Sequence, residues 1–131
     1  MTSDADTVHG VMTREVVTVV ASDPVREAIG KMIVADIGSV VVVEDGAPIG
    51  LFTERDLTRR ILDDDDLLDR PVADVMSGPP ITTHVGTEVV DAFELMNTNG
   101  VRRLPVVADG RLVGIVTEGD LRRWVGNVAK E

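Results

Sequence analysis

The stretch Gly50–Leu57 reads GLFTERDL, and the stretch Gly114–Leu121 reads GIVTEGDL. The second stretch begins 64 positions after the first, and the same offset relates Val11-Met12 to Val75-Met76 without a gap. A register kept over so long a distance indicates that the chain holds two copies of one supersecondary unit. We therefore expect function at the pseudo-symmetric cleft between the copies.

Each copy has a pattern that predicts the order β-α-β-β-α. In the first copy the predicted elements are a strand at Val16–Val19, a helix with Asp23 as N-cap and Pro24 as first residue, strands at Ser39–Val43 and Ile49–Phe52 around an Asp45-Gly46 turn, and a helix opened by Thr53 that runs to about Arg60. The alternation of strands and helices makes the chain a mixed α/β (α+β) protein.

The second copy repeats this order. Its predicted elements are a strand at Ile81–Thr83, a helix over Glu88–Asn97 capped by Thr87, strands at Arg103–Val107 and Arg111–Val116 around Asp109-Gly110, and a helix opened by Thr117. One helical turn is expected at Val72–Met76. The predicted bounds are 8–62 for the first repeat, 63–71 for an acidic linker and 72–126 for the second repeat.

Composition narrows the possible functions of this chain. Its 131 residues contain no cysteine, which excludes disulfides, thiolate metal sites and cysteine nucleophiles. The net charge of −10 argues against nucleic-acid binding, which needs a basic face. No apolar run approaches the roughly 20 residues that span a bilayer, and the first residues lack a secretory signal, so we expect a cytoplasmic protein that does not bind membranes. The acidity fits either a high-salt cytoplasm or an ordinary acidic protein.

The run Asp63–Asp66 has two interpretations. Clustered carboxylates suit Ca²⁺ or Mg²⁺, but the run lacks the glycine and terminal glutamate of an EF-hand loop. A solvated linker is the simpler interpretation, and we predict no metal site.

The pattern Gly-x-x-Thr-x-x-Asp, present as Gly50-Thr53-Asp56 and Gly114-Thr117-Asp120, lies where a strand ends and a helix begins. One interpretation is a capping box, in which the Thr and Asp side chains satisfy backbone N–H groups at the helix start. The other is a ligand site, because a helix N-terminus suits a phosphate and a carboxylate one turn further on can accept both hydroxyls of a ribose.

The ordered set of motifs resembles a tandem pair of cystathionine-β-synthase (CBS) domains, also called a Bateman module. The resemblance covers roughly residues 8–124 and rests on the two Gly-x-x-Thr-x-x-Asp motifs together with Val11–Thr13, Asp23-Pro24, Val75–Ser77 and Val101–Val106. It implies two pseudo-symmetric repeats that pack through their sheets.

The resemblance also implies a regulatory ligand, AMP, ADP, ATP or S-adenosylmethionine, and no obligatory cofactor. The residues it assigns to ligand binding form two sets, one with Thr53 and Asp56 beside Met76, Ile81, Val101 and Arg102, the other with Thr117 and Asp120 beside Met12, Val17, Ile37 and Gly38. Arg103 matches a position that often contacts phosphate, and Arg55 is placed to do so.

The two copies carry different charges at three aligned positions near the predicted ligand sites. Arg55 aligns with Gly119, and Arg102-Arg103 aligns with Gly38-Ser39. Because the net charge of the protein repels a nucleotide, these three arginines must supply local positive potential. We predict unequal sites, the better one using the three arginines, whose alternative role is to form surface salt bridges.

Three classes of function follow. The first is a non-catalytic ligand sensor, for which the resemblance implies a homodimer that signals to an unknown separate protein. The second is a ligand-independent interaction module with vestigial sites. The third, an enzyme, is disfavoured because no nucleophile–base pair, metal triad or P-loop occurs, so no catalytic residue is predicted. Trp124 is interpreted as a packing or dimer-contact residue, with base stacking as the alternative.

Overall fold

The computed structural model describes residues 4–129, and it has the predicted element order. In chain order the elements are α1 (Val8–Val11), β1 (Thr18–Val20), α2 (Val25–Ala35), β2 (Ser39–Glu44), β3 (Ala47–Thr53), α3 (Glu54–Arg60), β4 (Thr83–His84), α4 (Val89–Asn99), β5 (Arg103–Ala108), β6 (Arg111–Thr117) and α5 (Glu118–Ala129). Short 3₁₀ turns lie at Asp4–Asp6, Leu67–Asp69 and Val72–Asp74. The mixed α/β fold class is confirmed.

The chain divides into two compact units. The first unit is Val16–Pro80, and the second unit combines residues 4–15 with residues 81–129. The segment 4–15, which includes the start of the first repeat, therefore packs with the second copy. In the same way, the segment at Val72–Ser77, which precedes β4 in sequence, packs with the first copy, where Ser77 forms a bridge with Leu51. The boundaries of the two compact units therefore differ from the boundaries of the two sequence repeats.

Each unit contains one three-stranded sheet with the same topology. In the first unit β2 is central, parallel to β1 and antiparallel to β3. In the second unit β5 is central, parallel to β4 and antiparallel to β6. Three successive residues of each central strand are buried, Val40–Val42 in β2 and Leu104–Val106 in β5, as the continuous runs of apolar residues predict.

Both hairpins turn at the predicted Asp-Gly pairs. Asp45 and Gly46 have φ of 51° and 81°, and Asp109 and Gly110 have φ of 52° and 77°. Two successive residues with positive φ match the twist of the flanking strands, and an Asp-Gly pair adopts this conformation at low cost. A register shift occurs two residue pairs before each turn, between Val42 and Val43 and at the aligned position of the second copy.

Each unit also has its own apolar core. The core of the first unit contains Phe52 and Leu67 together with the buried positions Val25, Ala28 and Met32 of α2. The core of the second unit is formed by Val8, Val89, Ala92, Met96, Leu104, Val106, Val116 and Leu121.

Several predicted element boundaries are wrong, for an identifiable reason. Pro24 is extended (φ −70°, ψ 150°) and precedes α2 instead of opening it. It pairs with Pro71 across the unit, and this pairing holds the backbone extended up to Val25. Thr87 likewise does not cap α4: Glu88 is the N-cap, extended and paired with Thr7.

The first strand of each copy also begins later than predicted, at Thr18 and Thr83 instead of Val16 and Ile81.

Candidate functional site

Thr53 and Asp56 form a capping box at the start of α3. The Thr53 N–H donates to Asp56 Oδ2 at 2.9 Å, and the Asp56 N–H donates to Thr53 Oγ1 at 3.2 Å. Both side chains therefore satisfy backbone groups that a helix start leaves free. The capping interpretation of this motif is confirmed.

Thr117 and Asp120 repeat this arrangement at the start of α5. The Thr117 N–H donates to Asp120 Oδ2 at 2.9 Å, and the Asp120 N–H donates to Thr117 Oγ1 at 3.2 Å. Capping uses Oδ2 of each Asp carboxylate, so Oδ1 is the oxygen that remains for a further hydrogen bond or ion pair.

The second carboxylate oxygen has a different partner in each unit. Asp56 Oδ1 accepts a hydrogen bond from Ser77 Oγ at 2.9 Å. Asp120 Oδ1 instead forms an ion pair with the guanidinium of Arg123, three residues further along α5. Asp120 is only 7% exposed, whereas Asp56 is half-buried. The neutral partner in the first unit and the charged partner in the second make the two carboxylates electrostatically unequal.

The motif glycines allow a second segment to approach the hairpin. A Cβ on Gly50 would lie 2.4 Å from Met76 Sδ, and a Cβ on Gly114 would lie 2.6 Å from Met12 Sδ. Such distances are far inside van der Waals contact, so a larger residue at either position would require the Met side chain or the backbone beside it to move. The structure thus brings Met76 to the Gly50 hairpin in the first unit and Met12 to the Gly114 hairpin in the second.

The residues before each central strand also lie near the helix starts. The Glu54 N–H donates to the Gly38 carbonyl at 3.0 Å, and the Glu118 N–H donates to the Arg102 carbonyl at 2.8 Å. Each pair belongs to one unit, so Ile37 and Gly38 lie with α3, and Val101 and Arg102 lie with α5. Val17 belongs to the first unit and Ile81 to the second. The predicted pairing of these residues with the motif of the opposite copy stays a prediction.

The predicted phosphate-binding arginines are solvent-accessible to different degrees. The Arg102 side chain is 86% exposed, with its Nε 3.9 Å from Glu118 Oε2. Arg55 is exposed, and Arg103, at the start of β5, is half-buried. No ion pair joins Arg55 or Arg103 to another residue within 4–129. The salt-bridge alternative therefore applies to Arg102 alone among the three, and only as a long, exposed contact.

A pocket of about 570 Å³ opens beside Asp120 in the second unit. Its lining comes from the N-terminal segment, α1 and α5: Ala5, Asp6, Gly10, Val11, Asp120, Arg123, Trp124, Asn127 and Val128. A volume of this size lies in the range of small-molecule sites. The sequence interpretation did not include Arg123, although its i+3 spacing from Asp120 is a signal for such a pair. Nor did it include Ser77, whose partner is 21 positions away.

A second pocket of about 330 Å³ lies at the C-terminal end of α4. It is lined by Phe93, Met96, Asn97, Gly100, Val101, Arg102 and Glu118. Two predicted site residues, Val101 and Arg102, thus border a pocket.

The acidic linker is tied to the chain beside it. Arg70 donates to both carboxylate oxygens of Asp64, and the Asp66 N–H donates to Asp64 Oδ1 at 3.0 Å. The hydrogen bond from Arg70 lowers the pKa of Asp64 below its usual value. Among residues 4–129 no three carboxylate or imidazole side chains are grouped as metal ligands would be, and no described helix is long and apolar enough to cross a membrane.

Comparison with protein families gives a match to the CBS domain at residues 8–63 and again at 72–127. An uncharacterized protein of Methanopyrus kandleri is 43% identical over 85% of this chain, which spans 58% of that protein. A CBS domain-containing protein of Bacillus subtilis is 36% identical over 87% of this chain and 81% of its own length.

Solved structures share the fold. One is a CBS domain pair crystallised with 5′-methylthioadenosine and S-adenosyl-L-methionine. It superposes with a TM-score of 0.81 at 24% identity, over 93% of this chain and 97% of that one. At this level of identity the likeness concerns the fold alone.

Proposed function

The chain belongs to the CBS-domain family, as a tandem pair, and we propose that it is a non-catalytic regulatory module that binds adenosyl nucleotides. CBS pairs are regulatory modules. The ligand class proposed is AMP, ADP, ATP or S-adenosylmethionine, and the binding event would be signalled to a separate protein. A member of the same fold bound to two adenosyl compounds supports this choice.

The observation that carries the proposal is the position of Asp120. Its carboxylate is 93% buried in its own unit, yet it borders a pocket of about 570 Å³. Oδ2 is held by the capping hydrogen bond, which fixes the orientation of the group. Oδ1 faces an exposed guanidinium, a partner that the two vicinal hydroxyls of a ribose can replace.

The start of α5 supports the proposal from the phosphate side. A twelve-residue helix has a partial positive charge at its first turn, where the Glu118 and Asp120 N–H groups already donate to the Arg102 carbonyl and to Thr117 Oγ1. Gly119 leaves this turn open: a Cβ there would lie 3.7 Å from Thr117 Oγ1 and 3.8 Å from an Arg123 guanidinium nitrogen. The Thr117 hydroxyl, the Arg123 guanidinium and the positive end of the helix dipole would therefore surround a phosphate.

The three arginines predicted from sequence would add the potential that a protein of charge −10 otherwise lacks. Replacing Arg55, Arg102 and Arg103 together by Ala is expected to weaken binding of a nucleotide, and to weaken ATP more than AMP. Unchanged affinity would remove these residues from the site and leave Arg123 and the helix N-terminus as the phosphate partners.

A second candidate is a ligand-independent interaction module. It is favoured by the fact that both motif carboxylates already have two partners each in the free chain. Under this interpretation the Gly-x-x-Thr-x-x-Asp motifs serve the fold only.

We also propose a cytoplasmic homodimer. Apolar side chains near the ends of α3 and α5 are exposed, at 45% for Ile61, 90% for Leu62 and 46% for both Val125 and Val128. Leu121 of α5 is fully buried in its own unit and is not available for such a contact.

Thermal denaturation with a ligand panel tests the proposal. A ligand present at 100 times its dissociation constant stabilises the folded chain by about 2.7 kcal/mol, or on the order of 10 °C for a chain of this size. We expect such a shift with at least one of AMP, ADP, ATP and S-adenosylmethionine, and none with ribose-free adenine. No shift with any of the four would favour the interaction module.

A further inference from the structure

Glu118 lies between Thr117 and Asp120 in the second motif, and its carboxylate contacts two arginines. One oxygen, Oε1, forms an ion pair with the guanidinium of Arg122, one turn further along α5. The other oxygen, Oε2, lies 3.9 Å from Arg102 Nε. Glu118 is half-buried, whereas both arginines are exposed. Two exposed cations thus share one partly buried carboxylate.

The first unit has the glutamate without the two arginines. Glu54 aligns with Glu118, but the residues at the two positions aligned with the arginines are Gly38 and Thr58. A Cβ on Gly38 would lie 3.4 Å from the Glu54 carboxyl carbon, so a longer side chain at this position would reach the carboxylate. Within residues 4–129 Glu54 has no ion pair. The helix dipole favours an acid in the first turn of both helices, so it explains the glutamates but not the arginine pair.

The arginine pair bears on the ligand because Arg102 is one of the residues predicted to contact a phosphate. Arg102 and Glu118 also border the same pocket, of about 330 Å³, at the C-terminal end of α4. A carboxylate beside a guanidinium cancels most of its field, so a phosphate that approaches Arg102 meets a nearly neutral pair. The positive potential available to a ligand is therefore smaller than the number of arginines implies.

Resting on the proposed function, we infer that Glu118 is a specificity-determining residue: by neutralising Arg102 and Arg122 it favours AMP and S-adenosylmethionine over ATP. ATP carries more negative charge than AMP, whereas S-adenosylmethionine has a cationic sulfonium and no phosphate. At a separation of about 8 Å, an effective dielectric constant of about 40 and an ionic strength of about 0.1 M, one unit charge alters affinity roughly twofold. The two additional charges of ATP then correspond to roughly fourfold.

Glu118→Gln tests the inference directly, because it removes the charge and keeps the shape of the side chain. Calorimetric titration of the full chain with AMP, ATP and S-adenosylmethionine measures the three affinities. The affinity for ATP is expected to rise roughly fourfold more than that for AMP, and the affinity for S-adenosylmethionine is expected not to rise. A merely structural role would change all three affinities alike. Thermal denaturation shows that the variant is folded.

Two controls separate the ion pairs from net charge. Asp109→Asn removes one negative charge in the hairpin turn, at the end of β5 and β6 away from α5, and Asn tolerates the φ of 52° found there. Because the charge at this distance is screened, the ratio of ATP to AMP affinity is expected to stay unchanged. In a chain that carries Arg102→Gln and Arg122→Gln, Glu118→Gln frees no guanidinium. A smaller change in the ratio is therefore expected in that background.

The outcomes distinguish this inference from the proposed function. A ratio of ATP to AMP affinity that Glu118→Gln leaves unchanged overturns the charge selection, while nucleotide binding stands. An equal change in Asp109→Asn, or an undiminished change in the chain without the two arginines, also overturns it, since the ion pairs would then not be the cause. If Glu118→Gln does not fold, the unmodified chain carries the test, and ATP binding about tenfold or more tightly than AMP overturns the inference. Absence of heat and of stabilisation with all four adenosyl ligands overturns both proposals together.

Discussion

Substituting Asp120 by Asn separates its capping role from its proposed ribose role. The amide oxygen of Asn can still accept from the Thr117 N–H, now at 2.9 Å from Oδ2, so the cap survives. The substitution removes the ion pair with Arg123, whose side chain is 73% exposed, and the favourable charge at the helix start. Such a pair contributes about 0.2–1 kcal/mol and the helix-dipole interaction about 0.3–1 kcal/mol. We expect a free energy of unfolding lower by roughly 1 kcal/mol.

The effect on ligand binding is expected to be larger. Hydrogen bonds to a charged group contribute about 1.5–3 kcal/mol, which corresponds to a loss of roughly tenfold to 150-fold in AMP affinity. Calorimetric titration measures the affinity, and denaturant unfolding measures the stability. Asp120→Ala is the matched control, since it removes cap and charge together and is expected to cost about 1 kcal/mol more stability with the same loss of affinity. If Asp120→Asn lowers stability as expected and leaves AMP affinity unchanged, the carboxylate serves the helix alone and the reasoning is refuted.

Four further substitutions test the physical account of the fold. Thr83 is buried, its Oγ1 has no hydrogen-bond partner among the described residues, and the aligned residue of the first unit is the buried Val19. Thr83→Val is therefore expected to raise the free energy of unfolding by about 1 kcal/mol, and Val19→Thr is expected to lower it by at least as much. A denaturant titration in which Thr83→Val is destabilising would disprove this. Because the pKa of Asp64 is lowered in the folded chain, its ion pair with Arg70 adds stability above pH 3.8, the ordinary pKa, and this stability is lost as the pH falls through the folded-state pKa. Arg70→Gln is therefore expected to lower the Tm at neutral pH by an amount that shrinks in acid. A difference in Tm between the two proteins that stays constant into strong acid would contradict the assignment. A Cβ at Gly114 would lie 2.9 Å from a backbone carbonyl oxygen of the N-terminal segment. Gly114→Ala is therefore expected to lower the free energy of unfolding by about 1–3 kcal/mol. An unchanged Tm in thermal unfolding would show that the segment moves away at little cost.

Features encoded by a few neighbouring residues were predictable from the sequence. Thr53 and Thr117 cap their helices because the partner carboxylate lies three positions on, and Asp45-Gly46 turns its hairpin because two adjacent residues with positive φ are needed there. The 64-residue repeat added what single motifs could not, namely that both units share one topology.

Features set by long-range pairing were not predictable in this way. The extended backbone at Pro24 depends on Pro71, and that at Glu88 depends on Thr7, so local propensity placed both helix starts wrongly. The exchange of leading segments between the units depends likewise on contacts such as Met12 against Gly114, which no short pattern specifies.

Part of the candidate site could not be predicted from the sequence either. The i+3 spacing is a local signal for the pair of Asp120 Oδ1 with Arg123, but the place of Trp124 follows from a hydrogen bond across 119 positions. The sequence therefore predicted that Asp56 and Asp120 lie at helix starts but not all of the groups around them.

Binding of AMP compared with its 2′,3′-dideoxy analogue tests most directly whether Asp120 recognises a ribose. The two ligands share base and phosphate and differ only in the hydroxyls assigned to the carboxylate. We expect AMP to bind at least tenfold more tightly, because the analogue cannot donate hydrogen bonds to the charged Asp120 carboxylate, which then keeps only its partners Thr117 N–H and Arg123. Equal affinities would contradict the account, since the sugar hydroxyls would then contribute nothing to recognition.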